Sequence, residues 1–532
     1  MRENRHPLYQ IDDYNTFAEL LLLSKRKYGD SIAFRIKSRK AEESKTFIQL
    51  YSDVAKLTCF FSAEYGKAKK IAILGENSYW WIVSYFAIVC SSNIVVPIDK
   101  ELSTQDIYSL LLDCGCSALI YSKSYDDIAE ELQHLMGEIE CIEDRTLAKF
   151  VDKAPDVELP QSDEAAIAAI VYTSGTTGKS KGVMLSQQNL CADTRAACMH
   201  IELYGRTLAM LPFHHTFAFT VSVLANIYYG IDTLVCHSLK NVMPLINEFK
   251  PNFLVVVPMI VEKVDKGILD KISKSGKKKL LTALNILCKP FDIFSRAVRN
   301  RVFSAVRQGL GGELDFIICG GAPIDSQIIK RFMTYGIQIL NGYGITECSP
   351  VVSVNRYIDN RVGSIGRALP GVCVRIDNPN ENGDGELCVQ GKIVMHGYYN
   401  MPKETETVLN NGWFHTGDIG RIDKDGFIYI TGRMKNLIIL SNGKNVAPEE
   451  LEGLIGRIAG VAEVLVYEKN AQLVAEIYPE QEYSTAGKEY FEKAIWQLND
   501  SLPPYKAIAK VLIRDTEFEK TTTKKIKRTR EG

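Results

Sequence analysis

Short apolar runs that alternate with helical patterns govern what this chain can fold into. Ile71–Leu74 is an apolar run closed by Gly75-Glu76-Asn77, and Tyr79–Cys90 after it reads as a buried helix. Ile94–Ile98 is the next strand, Thr104–Leu112 a helix and Ala118–Tyr121 a strand again. Upstream, Phe17–Tyr28 spaces its apolar residues as a helix, stops before Gly29-Asp30, and leads into strand-like Ser31–Ile36. Strands separated by helices are joined by crossovers and lie side by side in the same direction, so the expected class is α/β with a largely parallel sheet. Further strands are expected at Ala165–Val171, Leu208–Leu211, Leu234–Cys236, Phe253–Val257, Phe316–Cys319 and Ile337–Leu340.

Ligands of open parallel sheets gather at the carboxyl ends of the strands. Three strands here run into glycine-bearing loops. They are Tyr172–Gly182, Gly320-Gly321-Ala322-Pro323 and Asn341-Gly342-Tyr343-Gly344-Ile345-Thr346-Glu347. Three such loops can line one crevice. The first, Tyr-Thr-Ser-Gly-Thr-Thr-Gly-Lys-Ser-Lys-Gly, has nothing to put in a core, but its N–H groups, hydroxyls and ammonium groups can surround phosphate.

From about Gly363 the texture changes. Turn residues recur at Pro370-Gly371, Asn382–Gly385, Asn411-Gly412 and Asp425-Gly426, with short β-type runs between them, which predicts a small antiparallel β unit. Gly432–Asn436 breaks that pattern. A compact final segment follows, with helices expected at Pro448–Ile458 and Gly487–Asn499 and strands near Ala462–Tyr467 and Leu473–Tyr478. A boundary is therefore expected near 433–436.

At 532 residues the chain is too long for one typical domain, and its net charge of −1 gives no global case for nucleic acid or an acidic surface. Thirteen scattered cysteines, with no paired motif at zinc spacing, point to free thiols in a reducing compartment. The first twenty residues carry six charges and do not read as a secretory signal, and Trp80–Ile98 is interrupted by three serines and Asn93. A soluble, cytoplasmic protein is expected. Lysine-rich Lys263–Lys279 reads as a solvated helix and turn, with peripheral contact to anionic lipid as the alternative.

Gly178-Lys179-Ser180 resembles the end of a Walker loop, but that loop needs four residues between its glycines. Gly175 and Gly178 enclose two, and Thr173 stands where glycine is required. No G-x-G-x-x-G follows an early strand, and no G-x-S-x-G is present to make Ser174 a nucleophile.

Six motifs in order resemble the adenylate-forming (AMP-binding) superfamily of acyl-CoA synthetases, adenylation domains and firefly-type luciferases. They are Tyr172–Gly182, Leu211–His215, Gly342–Glu347, Trp413–Asp418, Gly432-Arg433 and Lys520–Arg528. The resemblance implies a large N-terminal domain, residues 1–432, of two α/β subdomains plus the β unit. It also implies a hinge at 433–435 about Lys435, and a small mobile α+β C-terminal domain at 436–532. The implied reaction joins a carboxylate to the α-phosphate of ATP with loss of pyrophosphate. A thiol, usually that of coenzyme A, then displaces AMP. Negative charge is crowded together in the first step, so fixed donors and cations are needed.

By this resemblance Thr173, Ser174, Gly175, Thr176, Thr177, Gly178 and Lys181 hold the β- and γ-phosphates. Gly321, Ala322 and Pro323 face the adenine edge, while Tyr343 and Gly344 lie against its face. Thr346 meets the α-phosphate, and Glu347 is the Mg²⁺ ligand, a hard oxygen suited to that ion. Asp418 accepts from the ribose hydroxyls with Arg433 beside it. His215 stands near the carboxylate pocket. Lys525 is the implied catalytic lysine, counted back from Ile526-Lys527-Arg528; Lys524 stands where the family has glycine. The face around Asn442–Asn445 is implied at the thiol channel.

Phe213–Val223 contains no acidic residue to pair with a substrate ammonium, and Ile345 precedes Thr346 where acetate-type relatives carry tryptophan. Phe217, Ala218, Phe219 and Val221 make that segment apolar, which fits a hydrophobic acid. Val257–Lys263 and Ser349–Val352 resemble long-chain acyl-CoA synthetases in particular. A fatty acid is the expected substrate. An aryl acid, or an acyl carrier protein in place of coenzyme A, stays open.

Overall fold

Helix Phe17–Tyr28 begins where Thr16 accepts from the Glu19 N–H and Glu19 reaches back to the Thr16 N–H, and it ends at Gly29. This reciprocal cap satisfies donors that the first helical turn leaves orphaned. Helix Tyr79–Cys90 starts at Ser78 and buries nearly every residue, because it lies inside the molecule rather than on a sheet's outer surface. The two helices share an aromatic core. Phe17, Trp81, Tyr85 and Phe86 all pack on Phe219, with the Tyr85 and Phe219 ring centroids 3.9 Å apart.

The structure is a computed structural model and describes residues 7–37, 42–173, 180–237, 242–274, 301, 303–440, 445–470, 472–485, 487–520 and 526–528. Ser174, Gly175, Thr176, Thr177 and Gly178 of the first glycine-rich loop lie outside the described residues, as do 442–444, Lys524 and Lys525. Among the described residues the chain separates into two compact units. The first comprises Met1–Val374, Val389–Phe414 and Asp425–Phe427, and the second Arg375–Cys388, His415–Lys424 and Ile428–Gly532.

The first unit is built on two sheets. One runs in the order Arg367–Ala368, Val351–Val354, Gln338–Gly344, Phe316–Cys319, Phe253–Val256, Arg206–Ala209, Asp232–Val235, Ile32–Lys37, Glu42–Thr46. Its six strands from Gln338–Gly344 to Ile32–Lys37 are mutually parallel, and antiparallel strands close it on either side. The other runs Gly397–Tyr398, Lys181–Ser186, Ile167–Thr173, Ile94–Pro97, Lys70–Leu74, Ala118–Tyr121, Glu140–Glu143. Its five strands from Ile167–Thr173 onward are parallel, and the first two are antiparallel additions. The antiparallel strands Glu42–Thr46, Lys181–Ser186 and Val351–Val354 each follow their partner after a short segment that leaves no room for a crossover helix, whereas Gly397–Tyr398 comes in from a distant part of the chain.

One strand is longer than the sequence suggests. Gln338–Gly344 does not stop at Leu340; it carries Gly342-Tyr343-Gly344 into antiparallel pairing with Val351–Val354. Glycine is required there by close approach. A Cβ on Gly344 would lie 2.3 Å from the Pro350 carbonyl oxygen, and one on Gly342 would lie 3.0 Å from that of Ser353.

In the second unit the Asp418–Ile422 part of strand Trp413–Ile422 pairs with Ile428–Arg433. A three-stranded sheet of Val461–Lys469, Gln472–Pro479 and Lys510–Ile513 is covered by helices Pro448–Ile455 and Gly487–Asn499. Leu451, Ile455, Val466, Ala475, Ile477, Phe491, Ile495 and Val511 form its core. This unit takes in strand residues before 433, ahead of the boundary the turn pattern suggests. Helix Pro258–Lys274 holds the described part of the lysine-rich stretch, and 275–279 lie outside the described residues. No helix among the described residues is long and apolar enough to cross a membrane.

Candidate active site

The described base of the first glycine-rich loop is a β-hairpin. Thr173 pairs with Lys181 and Tyr172 with Gly182, so strand Ile167–Thr173 returns along itself as Lys181–Ser186. Helix Gln187–His200 starts only after that return strand, capped by Ser186. A phosphate loop that feeds straight into a helix N-terminus would need a different path. Gly182 is where the strands press together, since a Cβ would lie 2.9 Å from the Ile170 Cγ2.

A second edge strand, Gly397–Tyr398, lies against the hairpin, with Tyr398 opposite Val183. The Tyr399 N–H donates to the Gly182 carbonyl at 2.7 Å and the His396 N–H to that of Met184 at 3.0 Å. The Tyr398 ring then reaches two predicted site residues. The Lys181 Nζ stands 4.6 Å from the ring centroid, and the Tyr398 hydroxyl donates to the Glu347 Oε1 at 2.8 Å.

Glu347 sits in a single tight turn, Thr346–Cys348, that leaves the end of Gln338–Gly344. It is 8% exposed, and its backbone carbonyl accepts the Met395 N–H at 2.8 Å. Thr346 is half-buried, with its hydroxyl 3.4 Å from that of Thr216, and Tyr343 is half-buried beside it. Below the turn, Thr220 donates to the Ser349 carbonyl at 3.1 Å and the Ser349 hydroxyl to that of Ile393 at 2.7 Å. Asp193 is fully buried there and accepts the Val351 N–H at 3.2 Å, while its Oδ1 has no hydrogen-bond partner among the described residues. Burial pushes its carboxyl pKa well up.

Gly321, Ala322 and Pro323 form an exposed stretch at the carboxyl end of Phe316–Cys319, with Gly321 at φ +86°. Gly320 just before them leaves space against the Phe217 ring, to which a Cβ would come within 3.3 Å. His214 and His215 behave differently. His214 is buried with its Nε2 3.4 Å from the Asp99 carboxylate, and desolvation holds its pKa well below the usual histidine range. His215 keeps an exposed edge, and the surrounding protein lowers its pKa against the opposing pull of Asp99 and Glu101. The apolar segment after it is helix Thr216–Phe219, a π turn over Thr220–Leu224, and helix Ala225–Tyr229. This phase commits Ala218, Phe219 and Val221 to the core, so only Phe217 of the four apolar residues named for this segment is half-exposed. A π turn of this kind often marks a functional site.

In the second unit Asp418 is 3% exposed and faces Arg433 across the strand pair, its Oδ1 2.8 Å from the Arg433 Nε. Thr416 fixes the approach, accepting the Asp418 N–H at 3.0 Å and donating to the Leu387 carbonyl at 2.7 Å. Lys435 lies exposed in the tight turn Met434–Asn436 directly after Arg433. Lys520 and Ile526 pair on either side of the segment that contains Lys525, and Arg528 forms an ion pair with half-buried Glu452. Asp377, Cys388 and His415 also gather potential ligand atoms within 4.8 Å of one another. The arrangement is already spoken for, because the His415 Nδ1 meets the Glu386 carboxylate at 2.9 Å and Arg375 bonds Asp377 at 3.1 Å.

Residues 23–399 match the AMP-binding enzyme family, and residues 435–531 match the AMP-binding enzyme C-terminal domain. The chain belongs to the AMP-binding enzyme family. It is 30% identical over 421 residues to a long-chain-fatty-acid–CoA ligase, FadD15, of Mycobacterium bovis, covering 72% of this chain and 68% of that one. It is 31% identical over 481 residues to the long-chain-fatty-acid–CoA ligase ACSBG1 of Rattus norvegicus, covering 80% of this chain and 65% of the relative. The chain thus spans about two thirds of the length of these relatives. Its fold resembles that of a Mycobacterium tuberculosis fatty acyl CoA synthetase, with a TM-score of 0.68, 22% identity and 96% of each chain covered.

The motifs singled out Lys181, Thr346 and Glu347 but missed Tyr398, Thr216 and Asp193. Thr216 directly follows His215 and was legible as part of that loop. Tyr398 and Asp193 carry no local signal, because their roles come from pairing and packing across distant parts of the chain.

Proposed function

We propose that the protein is an AMP-forming acid–thiol ligase that activates a fatty acid and passes it to coenzyme A. The observation that supports this most is the convergence of Lys181, Glu347 and Thr346 on one side of the first unit, joined through Tyr398 and Thr216. Members of the family carry out adenylation, and a cation, a buried carboxylate and a hydroxyl at strand ends are what a nucleotide triphosphate requires.

In this reading the substrate carboxylate attacks the α-phosphorus of ATP, the α–β oxygen bridge breaks, and pyrophosphate leaves with the bonding electrons. Thr173, Ser174, Gly175, Thr176, Thr177, Gly178 and Lys181 hold the leaving group. Thr346 and Lys525 stand against the α-phosphate, and Lys525 offsets the charge of the incoming carboxylate. Gly321, Ala322, Pro323, Tyr343 and Gly344 receive the adenine. Asp418 accepts from the ribose hydroxyls, with Arg433 holding its carboxylate in place. The coenzyme A thiolate then attacks the acyl carbon, and AMP departs. Lys435 is assigned as the hinge used between the two steps.

Glu347 fits Mg²⁺: it is a hard carboxylate oxygen donor, buried and oriented by a phenol, near a lysine that balances phosphate charge. When bound, Mg²⁺ supplies further neutralisation of the phosphates. The fatty acid is supported by the names of the two relatives, by Phe217 beside Gly320, and by the lack of any acidic residue in 213–223. A cytoplasmic location fits the use of ATP and coenzyme A.

A panel of carboxylic acids graded by chain length and ring content tests this reading, run with coenzyme A and separately with an acyl carrier protein. Acyl-CoA and AMP forming in equal amounts from medium or long fatty acids is the expected result. Thioester only on the carrier protein, or only from aryl acids, would replace the acceptor or the acid in this assignment.

A further inference from the structure

Tyr398 lies outside all six motifs, yet it touches two residues assigned to the nucleotide. Its backbone is fixed before its side chain is considered. Tyr398 pairs opposite Val183 on the hairpin, and its N–H donates to the Thr405 Oγ1 at 2.9 Å. On an extended strand Val183 and Lys181 point to the same face, so a side chain opposite Val183 stands diagonally over Lys181. The ring face meets the Lys181 ammonium at 4.6 Å from its centroid, a cation–π contact. The hydroxyl at the far end of the same ring reaches the buried Glu347 carboxylate at 2.8 Å.

We propose that Tyr398 is a positioning residue that couples the phosphate lysine to the metal carboxylate, holding Lys181 by its ring and Glu347 by its hydroxyl. The inference rests on the adenylation reading above and adds to it a residue that sets nucleotide and metal affinity together. The phenol carries a hydrogen-bond donor at its tip and a neutral π face on its flank, so one ring meets both partners. Phenylalanine keeps only the second function and leucine keeps neither. A carboxylate that is 8% exposed needs a donor, and the phenol supplies one while fixing the direction of the oxygens that a cation would meet. The ring holds the Lys181 ammonium until arriving phosphate takes it over.

The test is equilibrium binding of ATP to the full chain, measured by titration calorimetry in EDTA and again in excess MgCl₂. Thermal unfolding of each variant checks that it is folded. Tyr398→Phe is expected to bind ATP in EDTA within about twofold of the unsubstituted chain but to lose roughly tenfold of the Mg²⁺-dependent gain. Tyr398→Leu is expected to lose a further several-fold, about threefold to tenfold, in EDTA as well. Tyr399→Phe is the control, since the Tyr399 hydroxyl meets Lys70 at 3.2 Å instead; it should change neither affinity. If Tyr398→Leu does not fold, the comparison of Tyr398→Phe with Tyr399→Phe still decides. Tyr398→Phe matching the unsubstituted chain, weakening ATP equally in both media, or being reproduced by Tyr399→Phe would overturn the proposal. Failure of the unsubstituted chain to bind ATP in either medium would instead refute the functional reading, and this inference with it, before any variant is compared.

Discussion

Replacing Gly344 with alanine drives a methyl group into the carbonyl of Pro350. The added carbon would lie 2.3 Å from that oxygen and 3.0 Å from its carbon, both backbone atoms that no side-chain rotation can move away. Reaching an ordinary carbon–oxygen separation displaces the carbonyl by about 1 Å. That carbonyl accepts the Ile345 N–H at 2.9 Å, and the contact starts the turn that presents Thr346 and Glu347. Losing this hydrogen bond costs about 1 kcal/mol, and the overpacking adds about 1–3, so a loss of about 2–4 kcal/mol is expected. The chain should still fold, because domains of this size hold roughly 5–15 kcal/mol. A displacement of about 1 Å in the turn should lower acid-dependent ATP–pyrophosphate exchange by roughly 100-fold. Urea titration and the exchange assay read the two effects. Gly453→Ala is the control. It lies in helix Pro448–Ile455 with nothing within 4 Å of the added carbon, and should be neutral or stabilising by up to about 1 kcal/mol. Gly344→Ala with an unchanged urea midpoint and an unchanged exchange rate would refute the reasoning.

Asp193 gives a signature in pH. Its buried carboxyl stays protonated in the native chain above the unfolded-state pKa near 3.8, so in that window the unfolded state binds fewer protons and stability falls as pH rises. The slope is at most about 1.4 kcal/mol per pH unit until the native pKa is passed. Asp193→Asn keeps an acceptor for Val351 and should remove that descent; identical urea midpoints for both chains from acid to neutral pH would contradict it. Asp418→Ala should weaken ATP binding about tenfold, the worth of one hydrogen-bonding carboxylate, and unchanged affinity in calorimetry would take it out of the nucleotide site. Lys525→Ala should cripple acyl-adenylate formation yet spare thioester formation from supplied acyl-adenylate, and equal loss of both half-reactions would count against the assigned role.

What could be read along the chain was set by short-range signals. The helices Phe17–Tyr28, Tyr79–Cys90 and Gly487–Asn499 fall where apolar spacing and a neighbouring glycine or cap put them. The strand at Ala118–Tyr121 was equally legible. Gly342–Gly344 misled because glycines usually signal a loop. Here they permit a close antiparallel return by Val351–Val354, and the partner strand is invisible to local pattern. Helix Phe47–Tyr65 went unread because it directly follows the polar edge strand Glu42–Thr46 rather than a clear turn. At the site, Lys181, Thr346, Glu347, Asp418 and Arg433 were proposed from the ordered motifs that carry the family resemblance. The side chains that hold them, Tyr398 above all, are brought in by long-range pairing and left no mark that spacing could reveal.

The account depends on adenylation, and exchange of labelled pyrophosphate into ATP measures that step without any acceptor thiol. The full chain with Mg²⁺ and a fatty acid should exchange label, and should stop when the acid is withheld. Exchange without any acid, or none with any acid of a broad panel, would contradict the central claim.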